Sequence, residues 1–462
     1  MASTQLQRTS GTSTENYKYT FSAWVKRTGV LGSSSVNEVL FSSWDGSSNS
    51  AYIRFEDQND NLQVYDKYGS VIDLNYQTDM KFRDSNAWYH IVVDVDGTRS
   101  ANQRCKIYVN GSQVSCSNTT DSGGTLAMKT VTATNATRLG AIRTSGGAEY
   151  YFNGLMSHVH YIDGTGYDAS YFGETDSTTG EWKIKTDVTG VTYGNNGFFV
   201  LKDGNSVTDQ SGNSNNFAVG GGTLTKTEDN PSNVFATLNP LFYSADITLS
   251  NGNTKAVEAS NNWRSAYSNI GHSTGKFYAE AKITYQSGNE AYIGVAHEDH
   301  MNGTATYGGS TSGPNSGGYD YIGYSNKSVG IYSNGQQHYP STVQTTASFQ
   351  SNGDIIGIAV DIPGNKFYLS KNGQWNNAAG NAWDSTTFDA SVGAISWTSK
   401  WTSGQVFVGC SPNESTWEWN FGNGYFGTTA VSSAGTNASG IGIFEYDVPT
   451  GFTAWSTKGL NE

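Results

Sequence analysis

Proline is scarce in this chain, 7 in 462 residues, and cysteine scarcer still at 3. Charged side chains reach only 15 % of the sequence, against roughly 25 % in an ordinary globular chain. Each shortage excludes something. Three cysteines cannot make a disulfide framework, so the fold must rest on its core. Lys and Arg number 27 against 40 Asp and Glu, giving a formal net charge of −13; no basic run exists to neutralise phosphates, which excludes a nucleic-acid partner. No apolar run approaches the ~18 residues of a membrane-crossing helix, and the opening MASTQLQRTS lacks the apolar stretch of a secretion signal. The expectation is a protein made in the cytosol, or one that leaves it by a route needing no signal, without membrane insertion. No convincing amphipathic helix stands out.

What is abundant is glycine, 55 residues, and aromatic side chains, 13 % of the chain. With many Ser, Thr and Asn between them, these describe an all-β protein rich in turns, and the length allows two domains of about 200 residues each. The stretch from Gly353 to Trp375, GDIIGIAVDIPGNKFYLSKNGQW, carries the pattern most clearly. Apolar residues alternate along Ile355 to Asp361, Pro363-Gly364 reverses the chain, Lys366 to Lys371 returns, and Asn372-Gly373 stops it again. Trp88 to Val114 repeats the scheme: WYHIVVDVDG, an insertion, then KIYVNGSQV with its own Asn110-Gly111. One kind of β-sandwich is thus expected twice. If Asn110-Gly111 is a two-residue hairpin turn, Cys105 falls opposite Cys116 in a hydrogen-bonded pair, which suits a disulfide poorly. Both are expected reduced, and Cys410 in VFVGC is expected in a core.

In the first half, TFSAWVKR, VLFSS, WYHIVVDVDGT, KIYVNG, RLGAI and FNGLMSHVHYIDG resemble the strands of laminin G-like, concanavalin A-like jelly rolls. The continuation YFGETDSTTGEWKIK, YGNNGFFVLKD and DQSGNSNNF resembles tailed-phage virion proteins, particularly of marine phages. In the second half, GKFYAE, DIIGIAVD and KFYLSKNG resemble a SPRY domain, with Ala279 where that family usually has an aromatic residue. The terminal FEYDVPTGFTAWSTKGLNE resembles the tail that follows this domain in phage structural proteins. The fold expected is therefore all-β, two tandem antiparallel β-sandwiches: a concanavalin A-like jelly roll over 1–236, then a SPRY-type sandwich with its tail over 237–462. The segment 231–242, PSNVFATLNPLF, carries two of the prolines and no strand alternation, and reads as the connector between them.

Catalytic patterns are wanting. The glucanase pattern Glu-x-Asp-x-x-Glu does not occur; Glu445-Tyr446-Asp447 has two of its members, with Pro449 immediately after. There is no Gly-x-Ser-x-Gly elbow, P-loop or zinc spacing. His158 and His160 share a strand face near Asp163 without an evident third ligand, and His297 and His300 are expected in a loop. No cofactor is required, although the jelly-roll resemblance implies a Ca²⁺ site, for which Asp45, Asp57, Asp60, Asp94 and Asp96 are the candidates. Sugars stack their apolar faces on exposed aromatic rings, so aromatics in turn-rich context are the candidate ligand-binding residues: Trp44, Tyr307, Tyr319, Tyr321, Trp375, Trp383, Trp397 and Trp401. The SPRY resemblance directs weight to the loops 302–318 and 374–402.

The resemblances imply a non-enzymatic phage virion protein, assembled in the host cytoplasm. As a tail fibre or adhesin it would bind host-surface glycans or proteins; the alternative is a capsid decoration or head-fibre protein contacting mainly other virion proteins. A homo-oligomer is expected, threefold if the protein is a fibre, although no coiled-coil repeat supports it.

Overall fold

The strand Lys18–Arg27, KYTFSAWVKR, is buried along nearly its whole length, and this governs its composition. Tyr19, Phe21, Ala23 and Val25 lie in one apolar core, while Ser22, Trp24 and Lys26 on the opposite face are buried as well. A strand covered on both sides must be the middle of a sandwich with something laid over its outer sheet. The computed structural model describes residues 3–457, apart from 30–36, 46–48, 57, 122–124, 129–135, 145–146, 203, 205, 245, 289, 302–305, 308–309, 312–320 and 338–342. Among the described residues helix is confined to a turn at Glu298–Met301 and a 3₁₀ turn at Ala169–Tyr171.

The fold divides into two compact units, Met1–Lys226 with Asn230–Ser232, and Thr227–Asp229 with Asn233–Glu462. In the first, Lys18–Arg27 lies in a six-stranded antiparallel sheet between Gly154–Asp163 and Trp88–Asp96, continued by Cys105–Val109 and Ser112–Val114 on one side and Phe198–Val200 on the other. An eight-stranded sheet faces it, with Glu38–Trp44, Ser50–Phe55 and Asn61–Tyr68 at its centre. Phe41, Ile53, Phe55, Val64 and Leu74 from the eight-stranded sheet meet Phe21, Ile91, Val93, Ile107 and Tyr161 from the other in one core. Each large apolar side chain so buried contributes about 1.5–3 kcal/mol. Asn110 (φ 47°) and Gly111 (φ 82°) make the two-residue turn expected, and Val109 pairs with Ser112. The ladder stops at Val114. Cys105, Cys116 and Cys410 are free thiols.

The cover over the six-stranded sheet is the excursion that follows it. Ala169, Phe172 and Tyr193 pack on Val92, Ile162 and Phe199. His90 accepts from the Trp182 indole (Nε1 to Nδ1, 2.9 Å) and meets the Ser22 hydroxyl (2.9 Å); burial holds it neutral, down at about 3. His160 meets the Tyr193 hydroxyl (2.9 Å) and stacks on Phe199 (3.8 Å). Of the two histidines of SHVHYID, His160 therefore belongs to this sealed layer, while His158 is half-buried, meeting Ser157 (2.8 Å).

In the second unit a seven-stranded sheet centred on Ala291–His297 and Val406–Pro412 faces a larger one centred on Lys276–Tyr285, Ile355–Asp361 and Ser415–Asn420. Phe277, Ile283, Ile358, Val360, Phe367 and Leu369 meet Ile293, Val295, Val406 and Val408 between them, with Trp397, Trp417, Trp419 and Trp455 fully buried. Ala279 fills its place in this core, wholly covered. Asn372 (φ 51°) and Gly373 (φ 77°) repeat the turn geometry of the first unit.

Two expectations change here. The segment 231–242 is no free connector: Phe235 and Leu238 are buried, and Leu238–Tyr243 is a strand paired with Ala266–Ser268. Its Pro240 is tolerated because this is the edge strand, which has a side with no ladder bonds to make. His300 is buried rather than in an open loop, holding the Tyr267 hydroxyl (2.6 Å) and Ser325 (3.0 Å).

The outer face of the larger sheet is covered by the stretch 441–455. Ile441, Phe444, Val448 and Phe452 pack on Tyr278, Ala359, Tyr368 and Trp375, and Thr453–Ala454 adds a parallel pairing to Phe277 and Tyr278. Beneath it, wholly buried, lies Glu280. Its carboxylate accepts the backbone N–H groups of Glu445 (2.8 Å) and Tyr446 (2.9 Å) and the Tyr278 hydroxyl (3.1 Å). Gly357 on the next strand leaves the room: a Cβ there would stand 2.6 Å from the Tyr278 hydroxyl.

Arg27 tests the first core. It bonds Glu38 (2.7 Å), Asp60 (3.3 Å) and the Phe82 carbonyl (2.7 Å), with every partner side chain buried. Arg27→Met strands the Glu38 carboxylate and leaves Asp60 with Arg83 as its cation (3.0 Å), and urea denaturation is expected to register a loss of about 3–5 kcal/mol; a loss below about 1 kcal/mol would show that Glu38 does not need its cation.

Candidate ligand-binding site

The hairpin Lys366–Lys371 to Gln374–Asn376 alternates, sending Phe367 and Leu369 into the core and Tyr368 and Trp375 to the opposite face. After Asn376 the chain loops out and returns as Trp383–Ser385. Asn377 closes this loop, its N–H donating to the Ala382 carbonyl (3.0 Å) and its Oδ1 accepting from Asn381 (3.1 Å). The following turn is built by Asp389, whose Oδ1 accepts both the amide (2.8 Å) and the hydroxyl (2.7 Å) of Ser391. That turn sets Phe388 edge-on against Tyr368 and Trp375, each with ring centroids 4.9 Å away, and the Tyr368 hydroxyl ties it down at Ala390 (2.8 Å).

The result is a cavity of about 290 Å³. Tyr368, Trp375 and Phe388 form its floor, and Asn376, Asn377, Asp384, Ser385 and Asp389 stand around it. An apolar aromatic base with a few polar groups is the usual composition of a small-ligand site. The 441–455 stretch backs it directly, since Phe452 meets Phe388 edge-on (5.5 Å). Asp389 is held below the ordinary carboxylate range by Ser391, the reverse of what a general acid requires.

A second aromatic group lies on the outer side of the seven-stranded sheet. Tyr321 stacks on Tyr292 (4.5 Å, 13°), and Trp263 stands edge-on to Tyr292, Tyr321 and Tyr332 at 5.2–5.8 Å. Trp263, Tyr321 and Tyr332 keep part of their surface exposed.

The candidate aromatic residues are thus distributed unevenly. Trp375 lines the cavity from below, only 7 % exposed in its floor, and Tyr321 joins the second group. Trp383 is partly exposed beside the cavity, but its indole is tied to the Ser348 carbonyl (2.9 Å) and packs against the core. Trp44, on the first unit, has the Arg143 guanidinium 6.0 Å from its ring. Tyr307 sits in the short pairing Thr306–Tyr307 with Ser310–Thr311; its side chain, and Tyr319 altogether, lie outside the described residues. Trp397 and Trp401 are corrected: 0 % and 6 % exposed, stacked on each other at 5.7 Å, they are core. The pairing of Ile395–Ser396 with the Lys366 strand turns them inward. Tyr368, Phe388, Asp384 and Asp389 were not singled out, although three of them fall in the loop that was.

The carboxylates do not gather. Asp60 is buried between Arg27 and Arg83 (3.0 Å), Asp94 is paired with Arg99 (2.6 Å), and Asp96 accepts from Thr98 (2.9 Å) with Lys18 and Arg99 nearby. Asp45 closes its own turn at Asn49 (3.2 Å), and Asp57 lies outside the described residues. Among the described residues no group of three potential ligands converges. With guanidinium groups already neutralising them, Asp60, Asp94 and Asp96 do not fit a calcium ion, which needs six or more oxygen ligands.

Residues 2–165 match the family model of the concanavalin A-like lectin/glucanases superfamily, in its laminin G form, and residues 276–416 match that of the SPRY domain. The chain joins a concanavalin A-like domain to a SPRY domain. No curated protein matches it. Among solved structures the chain is similar to stonustoxin (17 % identity, TM-score 0.28, 40 % of this chain and 26 % of that one) and to the SPRY domain of human HERC1 (13 %, 0.26, 39 % and 94 %). It is also similar to a candidate carbohydrate-binding protein from Bacteroides ovatus (17 %, 0.32, 50 % and 61 %). The chain thus spans about a quarter of stonustoxin and under two thirds of the Bacteroides protein.

The SPRY domain's buried Glu280 gives a pH dependence. Burial lifts its carboxyl from 4.5 to about 7, against the pull of the two backbone amides. The unfolded chain loses this proton near 4.5 and the folded one near 7, so stability falls as pH rises between them and levels off above. At ~1.4 kcal/mol per pH unit the full effect is roughly 3 kcal/mol. Unfolding of the wild type minus that of Glu280→Gln, followed from pH 4.5 to 8, is expected to carry this slope; a flat difference would refute it.

Proposed function

We propose that this chain is a non-enzymatic virion protein, a tail fibre or adhesin that binds glycans or proteins on a host surface. The observation that carries the binding reading is the cavity over Tyr368, Trp375 and Phe388, with its amide and carboxylate surround. Rigid strands hold its floor and short turns present its polar groups, which is the division of labour of a recognition site on a scaffold. Catalysis is not needed to explain it, and the lowered Asp389 carboxyl suits an acceptor of hydrogen bonds better than a proton donor. Phage association is supported by sequence resemblance, in the YFGETDSTTGEWKIK continuation and in FEYDVPTGFTAWSTKGLNE. Weak single-site binding would gain strength from many copies on one particle.

The test combines a glycan array probed with the full chain and gold-labelled antibody on particles. Array binding with label at the tail is the expected result. Label on capsid facets with an empty array would overturn the adhesin reading in favour of a decoration protein.

A further inference from the structure

The size and lining of the cavity bear on which glycans would fit it, and this step rests on the binding reading above. At about 290 Å³ it lies at the small end of ligand pockets, which run from about 300 to 1,000 Å³, so it has room for one sugar ring rather than an oligosaccharide. Phe388, half-buried, is the ring that opens to the cavity; it meets Trp375, only 7 % exposed in the floor beneath, at 69°, giving an apolar edge for the C–H face of a ring. The polar side is rich in acceptors. Asp384 receives a single long bond from Asn377 (Nδ2 to Oδ2, 3.3 Å), and Asp389 uses only Oδ1, for Ser391. Oδ1 of Asp384 and Oδ2 of Asp389 thus remain for donors that a ligand supplies. Among the described residues no Lys, Arg or His lines the cavity. Lys366 is the basic group at its edge, 5.5 Å from the Tyr368 ring centroid and 3.5 Å from the Ala390 carbonyl, and does not line it.

We infer that this cavity takes one terminal, uncharged sugar unit, a neutral hexose or N-acetylhexosamine, and discriminates against sialic acid, uronic acids and sulfated sugars. Ring hydroxyls donate to Asp384 and Asp389, and the ring lies against Phe388. An anionic sugar would bring its charge to two carboxylates with no cation between them, a repulsion that specificity can use.

The full chain is titrated with galactose, N-acetylglucosamine and N-acetylneuraminic acid by calorimetry, and matched galactose-ended and sialic-acid-capped glycans are compared on the array. Neutral sugars are expected to bind, with acidic ones roughly tenfold or more weaker. Asp384→Asn, at an exposed position, is expected to weaken neutral binding several-fold and narrow the gap to acidic sugars, with the melting temperature unchanged. Preference for acidic glycans overturns the inference. So does neutral binding that Asp384→Asn leaves untouched, which would place the glycan on another face and leave the adhesin reading standing. Absence of any glycan binding removes this inference together with the glycan part of that reading.

Discussion

A carboxylate with no water around it must find its donors in the chain, and Glu280 finds them in two backbone amides of the 441–455 stretch. That bond pattern explains why the outer face of the larger SPRY sheet can carry a wholly buried acid in its central strand. It also places Phe452 behind Phe388, and so supports the floor of the cavity. Remove the cover and the same residue becomes a charge in an apolar layer. The covering stretch, the sheet beneath it and the site beside it are energetically one feature.

The concanavalin A-like unit follows the same logic with a different cover. Its six-stranded sheet is sealed by the 169–193 excursion, and the polar groups caught underneath, His90 and His160, are met by Trp182, Ser22 and Tyr193. In both units the middle strand is buried on two sides, and in both the polar residue on the outer side has a partner supplied from far along the sequence. The open surface available for recognition is correspondingly displaced, in the SPRY unit to the margin where the sheet ends in short strands and turns.

Much of this was legible in the residues. Period-two alternation and the pairs Asn110-Gly111 and Asn372-Gly373 mark strands and their register because both turn positions need positive φ, which few residues adopt cheaply. The strand Leu238–Tyr243 was not legible, since Pro240 reads as a break unless the strand is known to lie at an edge. Trp375 and its loop could be found from aromatic rings in turn-rich surroundings. The same signal failed for Trp397 and Trp401, because one short pairing decides whether such rings face in or out and leaves no periodicity to read. The acidic residues failed for another reason: Asp60 meets an arginine 33 positions away, and nothing local distinguishes a carboxylate reserved for a guanidinium from one waiting for a cation.

Trp455 has a further consequence. Its indole is fully buried among the SPRY core residues and donates to the Ile270 carbonyl at 2.9 Å, so this domain cannot seal until residue 455 has been synthesised. The concanavalin A-like domain, complete some two hundred residues earlier by the unit boundary, is free to fold on the ribosome while its neighbour is still unfinished. Folding can thereby be ordered in time, with the first module able to close before the residues that complete the core of the second have been made.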